Sequence, residues 1–244
     1  MCVSSPDFIQ SSLTEVESLF VCSSRRQSRT ESDAAPMPLL MSALSATVSG
    51  RMVLDGVDLQ VRAGEKVALM GRNGAGKTTL VRSILGLQKS NWERLSIAGV
   101  TPTSRTRWRH ARHQCAWAPQ APGGGDFPLT VSELLTTSAN ESHAHVRVRM
   151  LGVDALWRRP ISELSGGQRQ RVFLARAMAE IDSGATLFIA DEPTAALDEH
   201  GKKLFAATFA DIECSALVVT HDEDLARSCS RRLWIESGKL RSRE

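Results

Sequence analysis

Short apolar runs separated by turn residues fill the chain from Leu39 onward, and their spacing predicts which are strands and which are helices. Residues 39–48 and 52–61 read as two antiparallel strands, and the continuous apolar run at 66–70 as a buried parallel one. Residues 78–87 change to helical spacing, with Leu80, Val81, Ile84, Leu85 and Leu87 apolar. A strand at 95–98, an Arg/His-rich stretch at 105–113 and a strand at 115–118 follow, the last running into Pro119-Gln120. Residues 121–126, with Gly123-Gly124-Gly125, have the composition of a hinge.

Thr130-Val131-Ser132-Glu133 is a capping-box pattern that opens a helix through Leu134 and Leu135, and residues 146–151 are helical as well. A long helix is predicted over 166–180. Strands at 186–190, 216–220 and 232–236 then alternate with helices at 199–212 and from Asp222, and the last strand closes on Ser237-Gly238. This alternation predicts an α/β fold whose parallel sheet is covered on both faces, with an N-terminal antiparallel β subdomain and a helical insert at about 127–183.

Residues 1–36 are serine-rich, carry Arg25-Arg26-Gln27-Ser28-Arg29 and show no regular apolar spacing, which predicts a disordered tail before one domain at 37–244. The tail lacks the apolar core of a signal peptide, and Met37 and Met41 are alternative starts. No stretch offers 18 consecutive apolar residues, so the chain is not expected to span a membrane. The five cysteines include no C-x-x-C pair, which suits reduced thiols in a cytoplasm. A balance of 30 basic to 27 acidic residues leaves +3, too little to argue for a nucleic-acid partner.

Between the strand at 66–70 and the helix at 78–87 lies Gly71-Arg72-Asn73-Gly74-Ala75-Gly76-Lys77-Thr78, followed by Thr79, in the P-loop form G-x-x-x-x-G-K-[ST]. Its glycines let backbone N–H groups turn toward an anion, and the helix N-terminus adds partial positive charge. Lys77 is placed to reach the terminal phosphates, and the Thr78 hydroxyl to ligate Mg²⁺. The expected ligand is a nucleoside triphosphate with Mg²⁺.

A second apolar strand ends in Asp191-Glu192, 114 residues beyond Lys77. Carboxylates at a strand's C-terminal end lie where α/β sheets bind ligands, one suited to holding Mg²⁺ and the other to polarising water. Leu164-Ser165-Gly166-Gly167-Gln168 is then a further phosphate-recognition element: Ser165 is an N-cap, Gln168 completes a capping box, and the glycines expose N–H groups.

With this pentapeptide the chain resembles the ATP-binding cassette (ABC) ATPases over about residues 39–240. The resemblance implies that Ser165, Gly166, Gly167 and Gln168 face the ATP of a second subunit in a homodimer. It also assigns Gln120 to the Q-loop, near Mg²⁺ or the attacking water, and Ala195-Ala196-Leu197-Asp198 to the D-loop, with Ala195 where serine is frequent. His221 matches the switch histidine at the γ-phosphate, and Glu192 the catalytic base. It implies integral-membrane permease partners and a peripheral place on the inner face of the cell membrane. Phe127-Pro128-Leu129-Thr130-Val131 and the short insert resemble importers of metal ions or metal chelates, which also use a substrate-binding protein. The rival reading is a soluble ABC protein acting on nucleic acid or ribosomes; such proteins usually carry tandem cassettes, zinc modules or coiled coils. A P-loop kinase is a third, and the pentapeptide argues against it.

Two histidine groups, His110-x-x-His113-x-Cys115 and His143-x-His145, have no further metal ligand at suitable spacing, and the basic ending with Lys239, Arg241 and Arg243 reads as a solvated tail. One departure from the family has a measurable consequence. Val48 stands where an aromatic usually stacks on adenine, and stacking contributes about 1–3 kcal/mol. Weak discrimination between ATP and GTP is expected. Val48→Tyr should tighten ATP by about 1 kcal/mol, roughly fivefold in Kd, as read by titrating both nucleotides.

Overall fold

The computed structural model describes residues 37–120 and 129–242. The predicted tail at 1–36, with Cys2 and Cys22, the glycine hinge at 121–126 and the start of the insert at 127 lie outside the described residues. In chain order the strands are β1 (Leu39–Val48), β2 (Arg51–Val61), β3 (Lys66–Met70), β4 (Arg94–Ile97), β5 (Cys115–Ala118), β6 (Leu187–Asp191), β7 (Ser215–Val219), β8 (Arg231–Glu236) and β9 (Lys239–Ser242). The helices are α1 (Lys77–Ile84), α2 (Arg105–His113), α3 (Val131–Thr136), α4 (Glu141–Met150), α5 (Gly166–Asp182), α6 (Glu199–Asp211) and α7 (Glu223–Arg227).

Two sheets result: an antiparallel one in the order β2-β1-β4, and a six-stranded one in the order β5-β6-β7-β3-β8-β9 that is parallel except for its last pair. Both sides of the parallel sheet are buried because its strands are apolar at odd and even positions alike. On β6, Leu187 and Ile189 join Val67, Leu69, Leu80 and Ile84 beneath α1 and the antiparallel sheet. Phe188 and Ala190 join Leu174, Met178, Phe205 and Phe209 of α5 and α6 on the other side.

The insert is tied to this second side. Thr130 and Glu133 form the reciprocal capping box at the start of α3. Arg147 on α4 donates two hydrogen bonds to Asp182 at the end of α5, both at 2.7 Å, with the guanidinium almost wholly buried. A bidentate pair of this kind sets the angle between two helices as well as joining them.

Two segments differ from expectation. The Arg/His-rich stretch forms α2, which Ser104 caps by accepting the Arg107 N–H. Sequence periodicity gave no signal there, because Ala111 alone on that helix is fully buried. The basic ending, read as a solvated tail, is corrected: Lys239–Ser242 is strand β9, paired antiparallel with β8. Ser237 and Gly238 both have positive φ, +48° and +76°, as a tight hairpin turn requires. The basic side chains then find acids, Lys239 with Asp55 at 3.3 Å and Arg241 with Glu236 at 3.9 Å, while Arg243 lies outside the described residues. Among the described residues no helix is long and apolar enough to cross a membrane.

Candidate functional site

The C-terminal ends of β3, β6 and β7 open into one cavity of about 1090 Å³, large enough for a nucleoside triphosphate. The P-loop leaves β3 and ends at Gly76, the N-cap of α1, which has φ +106° and no side-chain cap. A Cβ at Gly76 would lie 2.9 Å from Leu54 and 3.2 Å from Val53, so only glycine fits both the torsion and the close approach of β2. The first N–H groups of α1 therefore stay free to point at an anion.

Lys77 is nearly buried, and its Nζ donates to the carbonyls of Gly71 at 2.7 Å and Arg72 at 3.1 Å, with His221 Nε2 at 3.0 Å. Burial lowers its pKa, against the opposing pull of Glu192 and Asp191. Glu192 completes the row beyond His221. Its Oε2 accepts the His221 N–H at 3.2 Å and its Oε1 lies 3.4 Å from Nε2.

The two carboxylates differ in setting. Asp191, at the end of β6, is hydrogen-bonded to the Thr78 hydroxyl, and its Oδ1 is buried with no partner. Glu192 is the next residue and has φ +50°, a left-handed backbone that non-glycine residues seldom adopt. Its N–H is anchored on the Val219 carbonyl of β7 at 2.8 Å. That torsion turns Glu192 out of the strand's alternation and toward His221. Burial raises the pKa of both acids; the nearby Thr78 and Lys77 oppose the rise at Asp191, and His221 and Lys77 oppose it at Glu192.

The cavity brings together most of the expected residues: Val48, Asn73, Gly74, Gly76, Lys77, Thr78, Thr79, Gln120, Asp191, Glu192 and His221. Gly71 and Ala75 shape the loop without lining the space. Val48 is only about one-third exposed, at the rim. Val53 and Thr194 also line it and were not anticipated; both are brought in by tertiary packing, with no local motif to mark them. Thr78 and the partnerless Asp191 Oδ1 form a hard-oxygen donor set that suits Mg²⁺.

The signature residues stand apart. Ser165 accepts the Gln168 N–H at 3.3 Å, Gln168 Oε1 accepts the Ser165 N–H at 3.1 Å, and none of Ser165, Gly166, Gly167 or Gln168 lines the cavity. Gly167 abuts the D-loop: a Cβ there would lie 2.9 Å from the Ala196 carbonyl. Asp198 also lies outside the cavity lining and caps α6, accepting the Gly201 N–H at 2.7 Å. Neither histidine group gathers ligands. His145 stacks on Trp157 with ring centroids 3.9 Å apart, His143 Nδ1 meets Ser183 Oγ at 3.1 Å, and His110 and His113 lie exposed on α2.

Residues 54–195 match the family model described as ABC transporter. The chain belongs to the ABC transporter family. It is 33% identical over 195 residues to the zinc import ATP-binding protein ZnuC of Pseudomonas savastanoi pv. phaseolicola, covering 77% of this chain and 68% of that one. It is 34% identical over 213 residues to the hemin import ATP-binding protein HmuV of Vibrio cholerae serotype O1, covering 81% of each. The dimeric structure of a bacterial ABC transporter cassette superposes with a TM-score of 0.75 at 24% identity, covering 84% of this chain and 97% of that one. The fold is that of an ABC cassette and the enzyme class is ATPase.

The buried aspartate of this ATPase gives a pH-dependent prediction. A carboxyl whose pKa is raised by folding weighs against the folded state once it ionises, and the penalty vanishes below its unfolded value. Nucleotide-free Asp191→Asn should therefore melt higher than wild type at neutral pH. The gain should shrink as pH falls toward the ordinary carboxylate value of 3.8, which thermal melts across pH will read.

Proposed function

We propose that this ATPase works as a homodimer with two composite ATP sites and drives separate integral-membrane permease subunits from the inner face of the cell membrane. One observation carries the reading: the signature helix begins in a capping box at Ser165 and Gln168, a site of the kind that binds anions, yet it lies outside the cavity of its own chain. A second copy supplies the missing wall. The dimeric cassette structure of similar fold supports this arrangement. Residues 37–244 serve as one cassette, with a helical insert at about 127–183.

In this reading Lys77 leaves the Gly71 and Arg72 carbonyls for phosphate oxygens, and the N–H groups of 73–79 hold the rest of the phosphate chain. Asp191 and Thr78, with Gln120, hold Mg²⁺, which when bound neutralises charge on the β- and γ-phosphates. Glu192 takes a proton from water as its oxygen attacks the γ-phosphorus and the bond to ADP breaks. Its raised pKa suits it to accept that proton. His221, between Lys77 and Glu192, contacts the γ-phosphate. Asp198 acts from the D-loop of the partner copy, and Val48 gives the base an apolar surface.

The named relatives support inward transport of a metal ion or a metal chelate, with a substrate-binding protein as a further partner. The cargo does not touch this subunit.

Glu192→Gln keeps the shape and loses the base, so MgATP binding should persist, turnover should collapse, and sizing with ATP should show a lasting dimer. Activity within about threefold of wild type would remove Glu192 from this role. The composite site is tested by mixing Ser165→Arg chains with Lys77→Ala chains, each inactive alone. Partial ATPase activity in the mixture is the expected result, and nucleotide-dependent association of the mixed pair should accompany it.

A further inference from the structure

The turn that joins β1 to β2 puts an arginine at the mouth of the ATP cavity. Ser49 and Gly50 have φ +50° and +77°, the left-handed pair that a two-residue hairpin turn requires. The residues on either side of the turn, Val48 and Arg51, therefore stand directly opposite each other in the register. Opposed residues of an antiparallel pair project to the same face, with Cβ atoms about 5 Å apart. Val48 lines the cavity, so Arg51 belongs to the cavity side of the hairpin as well. Met52, the next residue, is paired with Thr47 and belongs to the other face, where it is exposed.

Position along β2 separates Arg51 from the phosphates. Val53 lies beside Gly76 of the P-loop, where the phosphate chain is held. Arg51 is two residues nearer the turn, about 7 Å along the strand, on the part of the wall that carries Val48 and receives the nucleoside rather than the phosphates.

The side chain is uncommitted and the wall beside it is incomplete. Arg51 is exposed, and among the described residues it has no hydrogen bond or ion pair. Neither β1 nor β2 contains an aromatic residue, so Val48 alone offers the base a surface without a flat face. A guanidinium group has that face: it is planar and weakly hydrated, it stacks on aromatic rings, and nucleobases stack on it.

We infer that Arg51 stacks its guanidinium on the purine ring of bound ATP, supplying beside Val48 the planar surface that valine lacks. This rests on the ATP placement proposed above, with phosphates at the P-loop and base at Val48. A stacked plane reads the ring and not its edge, so Arg51 adds affinity for adenine and guanine alike.

The test measures dissociation constants of the full chain for MgATP, MgGTP and magnesium tripolyphosphate, which has the phosphates and no base. Arg51→Ala should weaken ATP and GTP each by about tenfold and leave tripolyphosphate within twofold of wild type. Its ATPase activity should show a raised KM with kcat at saturating ATP unchanged. Arg51→Lys keeps the charge and loses the plane, so it should behave like Arg51→Ala. ATP affinity within twofold of wild type in Arg51→Ala would overturn the inference while leaving the proposed function standing. Equal losses for ATP and tripolyphosphate, or full recovery by lysine, would also overturn it, by making Arg51 a phosphate contact. Wild-type chain that binds neither ATP nor tripolyphosphate would instead remove the proposed function, and the inference with it.

Discussion

Two carboxylates and a lysine held together, each with little of its surface exposed, are the constraint on which the structure depends. Asp191 and Glu192 are both nearly buried, and burial makes their ionised forms unfavourable, while it makes the ammonium of Lys77 unfavourable for the same reason. Lys77 and the two acids partly offset one another, but Asp191 pushes Glu192 further in the direction burial does, and two carboxylate oxygens remain without hydrogen-bond partners. A fold selected for stability alone would not keep this arrangement. It is tolerable because the parallel sheet around it is apolar on both faces, so the strand ends that carry these groups are held in place.

Strand order is what brings them together. β3 lies between β7 and β8, and β6 beside β7, so the ends that carry the P-loop, Asp191 and Thr220-His221 are neighbours although they lie far apart in the chain. The left-handed backbone at Glu192 adds the last adjustment. A residue one position past a strand end would ordinarily point to the opposite face, and its torsion returns it to the row that includes Lys77 and His221.

Most of this architecture could be read from the residues, because long apolar runs and glycine-rich phosphate loops are local signals with strong physical requirements. The antiparallel pair, the parallel strands, the P-loop helix and both capping boxes fell where the pattern placed them. What escaped was decided by partners distant in sequence. α2 is polar on most of its surface, and its helical state depends on Ser104 and on one inward stripe of Trp108 and Ala111. β9 reads as a charged tail until β8 and Asp55 are beside it. Val53 became part of the cavity only through Gly76, whose contact with β2 no spacing rule contains.

The position of β3 also bears on how the protein comes into being. Both strands that flank the P-loop strand belong to residues 215–236, and the Gly238 carbonyl accepts the Asp55 N–H at 3.0 Å, beside the Val53 that supports Gly76. During synthesis the ribosome releases the phosphate loop long before its neighbouring strands exist, so a nascent chain holds the motif without the site. Nucleotide capture is thus deferred until almost the whole cassette has emerged.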